Sequence, residues 1–241
     1  MLKQVQRYIN KISGYRFYVC LLLTLASTKA HGQADSAEIK QILILGDSHL
    51  NGEFGELLQK KIHSTGMYDI LSIAIGGAGS LHFTLPLKNF CCGYKIRESC
   101  HFEYFGPYST CRVIESQSTL TNQLIGKGFQ GKLSNFLLAY KPVYTIICLG
   151  SNNTNAHQEL VNAIRKYIPN TKIIWVGPFR RKMLNERLNP ILKMIEKNQN
   201  IYFIPSHDIV GHDTLSSTHF TGKTAIKWAS KITERLDTLL R

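Results

Sequence analysis

Acidic residues are scarce in this chain. Its 241 residues hold 16 Asp and Glu against 29 Lys and Arg, a formal net charge of +13 at pH 7. No acid precedes Ala30, whereas Lys3, Arg7, Lys11, Arg16 and Lys29 do, so five positive charges belong to the N-terminal stretch and +8 remains beyond it. A long apolar run is also missing. The best candidate, residues 17–27, offers about eleven apolar residues where a permanent bilayer span needs about twenty. There is no internal repeat, no low-complexity tract and no Pro- or Gly-rich linker. Those absences exclude solenoid arrays and strings of small modules, and leave one α/β domain with enough apolar residues for a proper core. The C-x₂-C and H-x₃-H spacings of zinc sites do not occur, so neither a metal nor a cofactor is expected. No nucleic-acid-binding motif accompanies the positive charge, so nucleic acid is not an expected partner. The charge suits either an anionic polymer such as cell-wall or acidic polysaccharide, or plain solubility.

The N-terminus has the layout of a secretion signal. A basic region precedes the short apolar stretch, and Thr28-Lys29-Ala30 then supplies a small–x–small cleavage site, with Gly32-Gln33-Ala34 as a second choice. The expectation is a signal peptide over residues 1–30, a single domain over 31–241, a secreted or periplasmic location, no permanent membrane anchor and a monomer. Cys20 lies in the apolar stretch without the small residues that a lipoprotein signal needs. Cys91, Cys92, Cys100 and Cys111 crowd into one segment, and Cys148 sits in an apolar run. Export plus a cysteine cluster suggests two disulfides. They are either 91–100 with 92–111 or 91–111 with 92–100, each worth about 3 kcal/mol for loops of that size. Cys148 reads as a buried free thiol.

Strand-like runs recur at 41–45, 70–75, 144–149, 172–176 and 201–204. Helical spacing falls between or after them, at 50–62, 133–140, 158–167, 183–197 and 224–240. This alternation predicts a doubly wound, mostly parallel five-stranded sheet with helices on both faces. Ligands of such sheets bind beyond the carboxyl ends of the strands. The segment from about 80 to 132 breaks the pattern. It holds the cysteine cluster and Phe83, Phe90, Tyr94, Phe102, Tyr104, Phe105 and Tyr108. It reads as a disulfide-rich insertion, a cap whose aromatics either stack on sugar rings or form the cap's own small core.

One strand end carries Gly46-Asp47-Ser48-His49. Ser48 falls where the first strand gives way to a helix, a place that favours negative charge. That suits a nucleophile whose attack on a carbonyl leaves an oxyanion beside it. The plain alternative is an N-cap, since Ser and Asp are ordinary capping residues.

Three further blocks follow in order at other chain positions of the same kind. They are Ile75-Gly76-Gly77-Ala78-Gly79-Ser80, Leu149-Gly150-Ser151-Asn152-Asn153, and Ser216-Ser217-Thr218-His219-Phe220-Thr221-Gly222 before the last helix. Together the four blocks, spread over residues 41–228, resemble the SGNH (GDSL-type) hydrolases. The resemblance implies a flavodoxin-like fold and an exported serine esterase that works through an acyl-enzyme on Ser48. It implies His219 as the base and an oxyanion hole built from the backbone N–H of Ser48, the backbone N–H of Gly77 and the side-chain amide of Asn152. Gly76 and Gly79 are the alternatives within the glycine block. The implied substrate is a small-molecule or polysaccharide ester, with acetyl groups on cell-wall or other polysaccharide first. A lipid ester, or acyl transfer to a sugar, are the alternatives. One departure stands out. The family places Asp three residues before the histidine, and this chain has Ser216 there. Either Ser216 or a backbone carbonyl orients His219, or Asp213 or Asp208 reaches the same place, or catalysis is weakened and the chain is a glycan-binding relative.

Overall fold

The first strand shows why this sequence builds a sheet covered on both sides. In β1 (Lys40–Gly46) all of Ile42, Leu43, Ile44 and Leu45 are fully buried. Ile42 and Ile44 belong to one core and Leu43 and Leu45 to the other, as the two-residue period of a strand requires. The computed structural model describes residues 39–88, 93–99, 112–114, 131–152, 155–177, 184–210 and 219–240. The remaining strands are β2 (Tyr68–Ile75), β3 (Tyr94–Ser99), β4 (Arg112–Ile114), β5 (Tyr144–Cys148), β6 (Lys172–Val176) and β7 (Ile201–Ile204). They form one seven-stranded sheet in the order β4-β3-β2-β1-β5-β6-β7. The five strands β2-β1-β5-β6-β7 run parallel and are the five read from the sequence.

The predicted count of five is corrected by β3 and β4, which extend the β2 edge antiparallel. Both lie in the segment that reads as irregular. The cause is visible in β3, where neighbours Ile96 and Arg97 are both buried, so the usual apolar–polar alternation is absent. Phe83 is buried in the second core and the half-buried Tyr94 packs against it, so these two aromatics contribute to the domain's own core. The other aromatics of this segment, and Cys91, Cys92, Cys100 and Cys111, lie outside the described residues. Leu87 and Gly131 exchange two backbone hydrogen bonds on either side of this segment.

The helices are α1 (Ser48–Asn51), α2 (Glu53–His63), α3 (Ser80–Thr84), α4 (Leu133–Tyr140), α5 (His157–Tyr167), α6 (Leu184–Glu196), α7 (His207–Val210) and α8 (Gly222–Leu239). On one face α2 and α8 lie together. Phe54, Leu58 and Ile62 of α2 share a core with Trp228, Ile232 and Leu236 of α8, each set at four-residue spacing. Fully burying each such side chain is worth about 1.5–3 kcal/mol. Phe54 and Trp228 stack with ring centroids 3.7 Å apart. On the other face Leu133, Phe136 and Leu137 of α4, Leu160, Val161 and Ile164 of α5, and Ile191 and Met194 of α6 cover Trp175 and the outer strands.

The helix predicted over 50–62 is two helices, α1 and α2, broken at Gly52 in extended backbone. The break lets α1 fold back on α2. A Cβ at Gly55 would stand 1.9 Å from the Leu50 carbonyl oxygen, so this helical position has no room for a side chain. Gly55→Ala gains about 1 kcal/mol of helix propensity but overpacks a backbone contact. We expect a net loss of about 2 kcal/mol, seen as a lower urea midpoint; an unchanged midpoint would show that α1 moves aside at no cost.

Candidate active site

Strand order sets where a site can form. The chain steps outward from β1 to β2, then returns to the other side of β1 for β5. The crevice between β1 and β5 is therefore the topological switch point, where doubly wound sheets bind ligands. Gly46 of β1 pairs with Ala74 of β2 and Cys148 of β5, so the Ser48, glycine and Asn152 blocks leave the sheet at one level.

At the end of β1, Asp47 is buried and caps α1, its Oδ1 accepting the His49 N–H at 2.9 Å. Ser48 opens α1 and is half-buried. The C-terminal end of this single turn is held from β3. The fully buried Arg97 donates from Nη1 to the Leu50 carbonyl (2.7 Å) and from Nη2 to those of Asn51 (2.8 Å) and Gly52 (3.3 Å). One guanidinium fork thus serves the carbonyls at the end of this turn, sharing that of Gly52 with the Glu56 N–H of α2 (3.4 Å). The opposite thiol, Cys148, is a buried free cysteine, as its apolar run predicts. Burial first, and the Asp47 charge second, push it above the usual thiol range, which makes it inert.

In the glycine block, Gly76 donates its N–H to the Gly93 carbonyl (2.8 Å), Ala78 to Ile75 (3.1 Å) and Gly79 to His82 Nδ1 (2.9 Å). Those bonds use the amides of Gly76 and Gly79, the two alternatives to Gly77. Gly77 sits half-buried between them at φ +76°, a left-handed turn that a residue with a Cβ disfavours. The side chain of Asn152 crosses to meet this turn. Its Nδ2 donates to the Ala78 carbonyl at 2.9 Å and lies 3.3 Å from Asp47 Oδ2. Beside it, Arg187 of α6 donates from Nη1 to the Ser151 carbonyl. Asn153 lies outside the described residues.

His219 is exposed, immediately ahead of the buried Phe220. Its ring centroid is 5.2 Å from that of His49. His49 is itself buried, with Phe220 at 5.9 Å and Trp228 at 5.6 Å. The segment is fastened to α2, because the Gly222 N–H donates to Glu53 Oε2 at 2.8 Å. A carboxylate on the first amide of α8 also complements that helix's dipole. The structure therefore brings Asp47, His49, Asn152 and His219 to the Ser48 turn. It does not bring Asp208, which is exposed and sits 3.1 Å from His207 Nε2. Ser216 and Asp213 lie outside the described residues. Sequence reading missed His49, Glu53, Arg97 and Arg187. Only His49, next to the serine, carried a local signal.

Behind the crevice, His157 is buried and its Nδ1 is 2.6 Å from Ser80 Oγ. Burial pushes its pKa down from 6.5 to about 4, slightly opposed by Glu159. The unfolded chain then binds the extra proton first as pH falls. The neutral ring's contribution is complete above about 6.5 and drains away down to about 4, a loss of roughly 3 kcal/mol. The drop in unfolding free energy between pH 7 and pH 4 should be smaller by that amount in His157→Asn. Equal drops in both proteins would show that His157 titrates normally.

Among the described residues, no group of three or more His, Cys, Asp and Glu is arranged to hold a metal ion. No described helix is long and apolar enough to cross a membrane.

A doubly wound α/β domain with a serine turn, an asparagine and a histidine gathered at its switch point is the architecture that the SGNH resemblance implies. No protein-family model matches the chain, and no curated protein matches it in sequence. Solved structures do match in fold. An acetyl xylan esterase from the rumen bacterium Butyrivibrio proteoclasticus is similar with a TM-score of 0.50 and 14% identity, over 84% of this chain and 65% of that one. The chain thus spans 65% of that esterase's length. A candidate arylesterase from Agrobacterium tumefaciens gives 0.48 and 14%, over 83% and 99%. A carbohydrate acetylesterase from Sinorhizobium meliloti gives 0.44 and 12%, over 83% and 99%. The acetyl xylan esterase shares this chain's fold; roles for individual residues rest on the site's own geometry.

Proposed function

We propose that this chain is an exported serine esterase that removes small acyl groups, acetyl first, from carbohydrate. The observation that carries the reading is convergence. His219 packs on the ring of His49, and Asn152 reaches Asp47, so both residues flanking Ser48 touch a candidate partner. Ser48 Oγ attacks the ester carbonyl while His219 takes its proton. The oxyanion accepts from the N–H groups of Ser48 and Gly77 and from Asn152 Nδ2. Asn152 has two amide protons. The Ala78 carbonyl holds one at 2.9 Å; the other faces Asp47 Oδ2 at the long distance of 3.3 Å and is the one a substrate oxygen can claim. The tetrahedral intermediate collapses, His219 returns the proton to the leaving alcohol, and water releases the acyl group by the same path.

Supporting the substrate class are the fold shared with an acetyl xylan esterase and the net positive charge beyond the N-terminal stretch. The signal-like N-terminus supports export to a secreted or periplasmic location. The test is labelling of the mature protein with a fluorophosphonate probe. Peptide mapping should find the adduct on Ser48, in folded protein only; a folded protein that never labels there overturns the reading. Ser216 in the acid's usual place favours a second reading, a glycan-binding relative with weakened catalysis. That protein would bind acetylated oligosaccharide equally well with and without Ser48.

A further inference from the structure

Ser80 and His157 form a polar bridge inside an otherwise apolar core. Ser80 is fully buried and His157 is 4% exposed, with Oγ and Nδ1 2.6 Å apart. Around them the same face of the sheet is lined with Leu, Ile, Phe and Trp. Two apolar side chains would fill that space without any polar group to satisfy, so packing alone does not call for this pair.

Its position suggests what it does. Ser80 opens α3, three residues after Gly77, and His157 opens α5, five residues after Asn152. The bridge therefore ties together the two loops that flank the crevice. It is braced from below by Trp175 of β6. The indole packs edge-on against the His157 ring, with centroids 5.1 Å apart, and its Nε1 donates to the Leu149 carbonyl at 3.1 Å. The Asn152 loop is thus held at its start by Trp175 and beyond its end by His157. Across the crevice Asn152 Nδ2 reaches the Ala78 carbonyl, between Gly77 and Ser80.

We propose that Ser80 and His157 are positioning residues. Their buried hydrogen bond sets the spacing between the Gly77 turn and the Asn152 amide, so that two donors on separate loops meet one substrate oxygen. This rests on the reading of Gly77 and Asn152 as oxyanion donors. A displaced donor costs rate more than ground-state binding, because the oxyanion exists only as the bond forms.

The experiment compares the full chain with Ser80→Ala, His157→Leu, His157→Asn and Ser80→Ala/His157→Leu. Turnover of p-nitrophenyl acetate is measured, together with the NMR signals of the Asn152 side-chain amide. Loss of the bond should lower kcat about 10- to 100-fold, with KM within about twofold. His157→Asn puts an amide atom near the former Nδ1 and should recover kcat to within about threefold, a rescue that general loosening of the core would not give. The double variant should be no slower than the slower single one. The Asn152 amide signals should shift in Ser80→Ala and stay near their original place in His157→Asn. A folded Ser80→Ala with unchanged kcat, or with unmoved Asn152 signals, overturns the proposal. If Ser80→Ala does not fold, Ser80→Cys carries the same prediction, since it is similar in size and a poor hydrogen-bond partner. A wild type that labels nowhere and hydrolyses nothing overturns the esterase reading instead; the Asn152 signals still decide whether the bridge positions the loop.

Discussion

Ser48→Ala and His219→Ala should each drop p-nitrophenyl acetate hydrolysis to background, and the double variant should fall no further. The nucleophile and its base act as one unit. A serine hydroxyl at its free pKa barely attacks, and an imidazole with no proton to take has no task. Losing either member of such a pair costs about 10⁴- to 10⁶-fold in kcat, and losing both costs little more. What survives, below the assay's background, is the contribution of the proposed oxyanion donors, Gly77 and Asn152, which reside on other loops. Ser216→Asp belongs in the same series. The SGNH resemblance puts an acid at that position to hold the imidazole in the useful tautomer and stabilise its cation, so this variant should turn over faster than wild type. A rise from an active wild type means that His219 already works with a weaker partner. A rise from an inert wild type means that the natural chain binds rather than cleaves. No activity in either, with no probe adduct, overturns the hydrolase reading.

Arg97→Met should cost about 3 kcal/mol of stability, because it removes a charged donor from the buried Leu50 carbonyl and the part-buried Asn51 carbonyl. Nη1 at 2.7 Å and Nη2 at 2.8 Å are short, and the residue is fully buried. Methionine fills part of the volume but leaves the carbonyls of Leu50 and Asn51 facing an apolar group, while that of Gly52 keeps the Glu56 N–H. Arg97→Lys should recover little, since a point charge cannot fork across several carbonyls. Against a typical total of about 5–15 kcal/mol, such a loss makes the domain marginal. Urea unfolding at pH 7 checks this. A midpoint close to wild type would mean that water reaches those carbonyls when the guanidinium is gone.

How much of this was readable beforehand depended on distance along the chain. The central strand β1 is buried on both faces, so residues 42–45 appear as an uninterrupted aliphatic run, and the other parallel strands carry shorter aliphatic stretches. The long helices showed because α2 and α8 repeat an apolar residue every fourth position. The strand β3 did not show, because Arg97 is polar in sequence yet buried in space. Gly52 interrupts what reads as one helix over 50–62, since nothing local reveals that α1 turns back on Gly55. At the candidate site, the places of Ser48, Gly77, Asn152 and His219, whose chemical roles are the proposal, were legible because each stands near the end of a regular element. Their supports were not. Arg97 serves carbonyls some 45 residues away, Ser80 meets His157 across 77 residues, and Glu53 meets Gly222 across 169. Those pairings exist only in the folded topology.

The Glu53 to Gly222 bond carries a consequence for how the site comes into being. It joins the helix that follows the serine to the helix that follows the histidine, nearly at opposite ends of the described chain. Contacts of such long sequence separation cost loop-closure entropy before they reward the chain. A polypeptide that stops before α8 retains His219 but lacks the Gly222 anchor, and it also lacks Trp228, Ile232 and Leu236, which share a core with Phe54, Leu58 and Ile62 of the helix after the serine. The proposed pair of Ser48 and His219 therefore leans on α8 twice over: through the tie from Gly222 to Glu53 and through the ring of Trp228 stacked on Phe54.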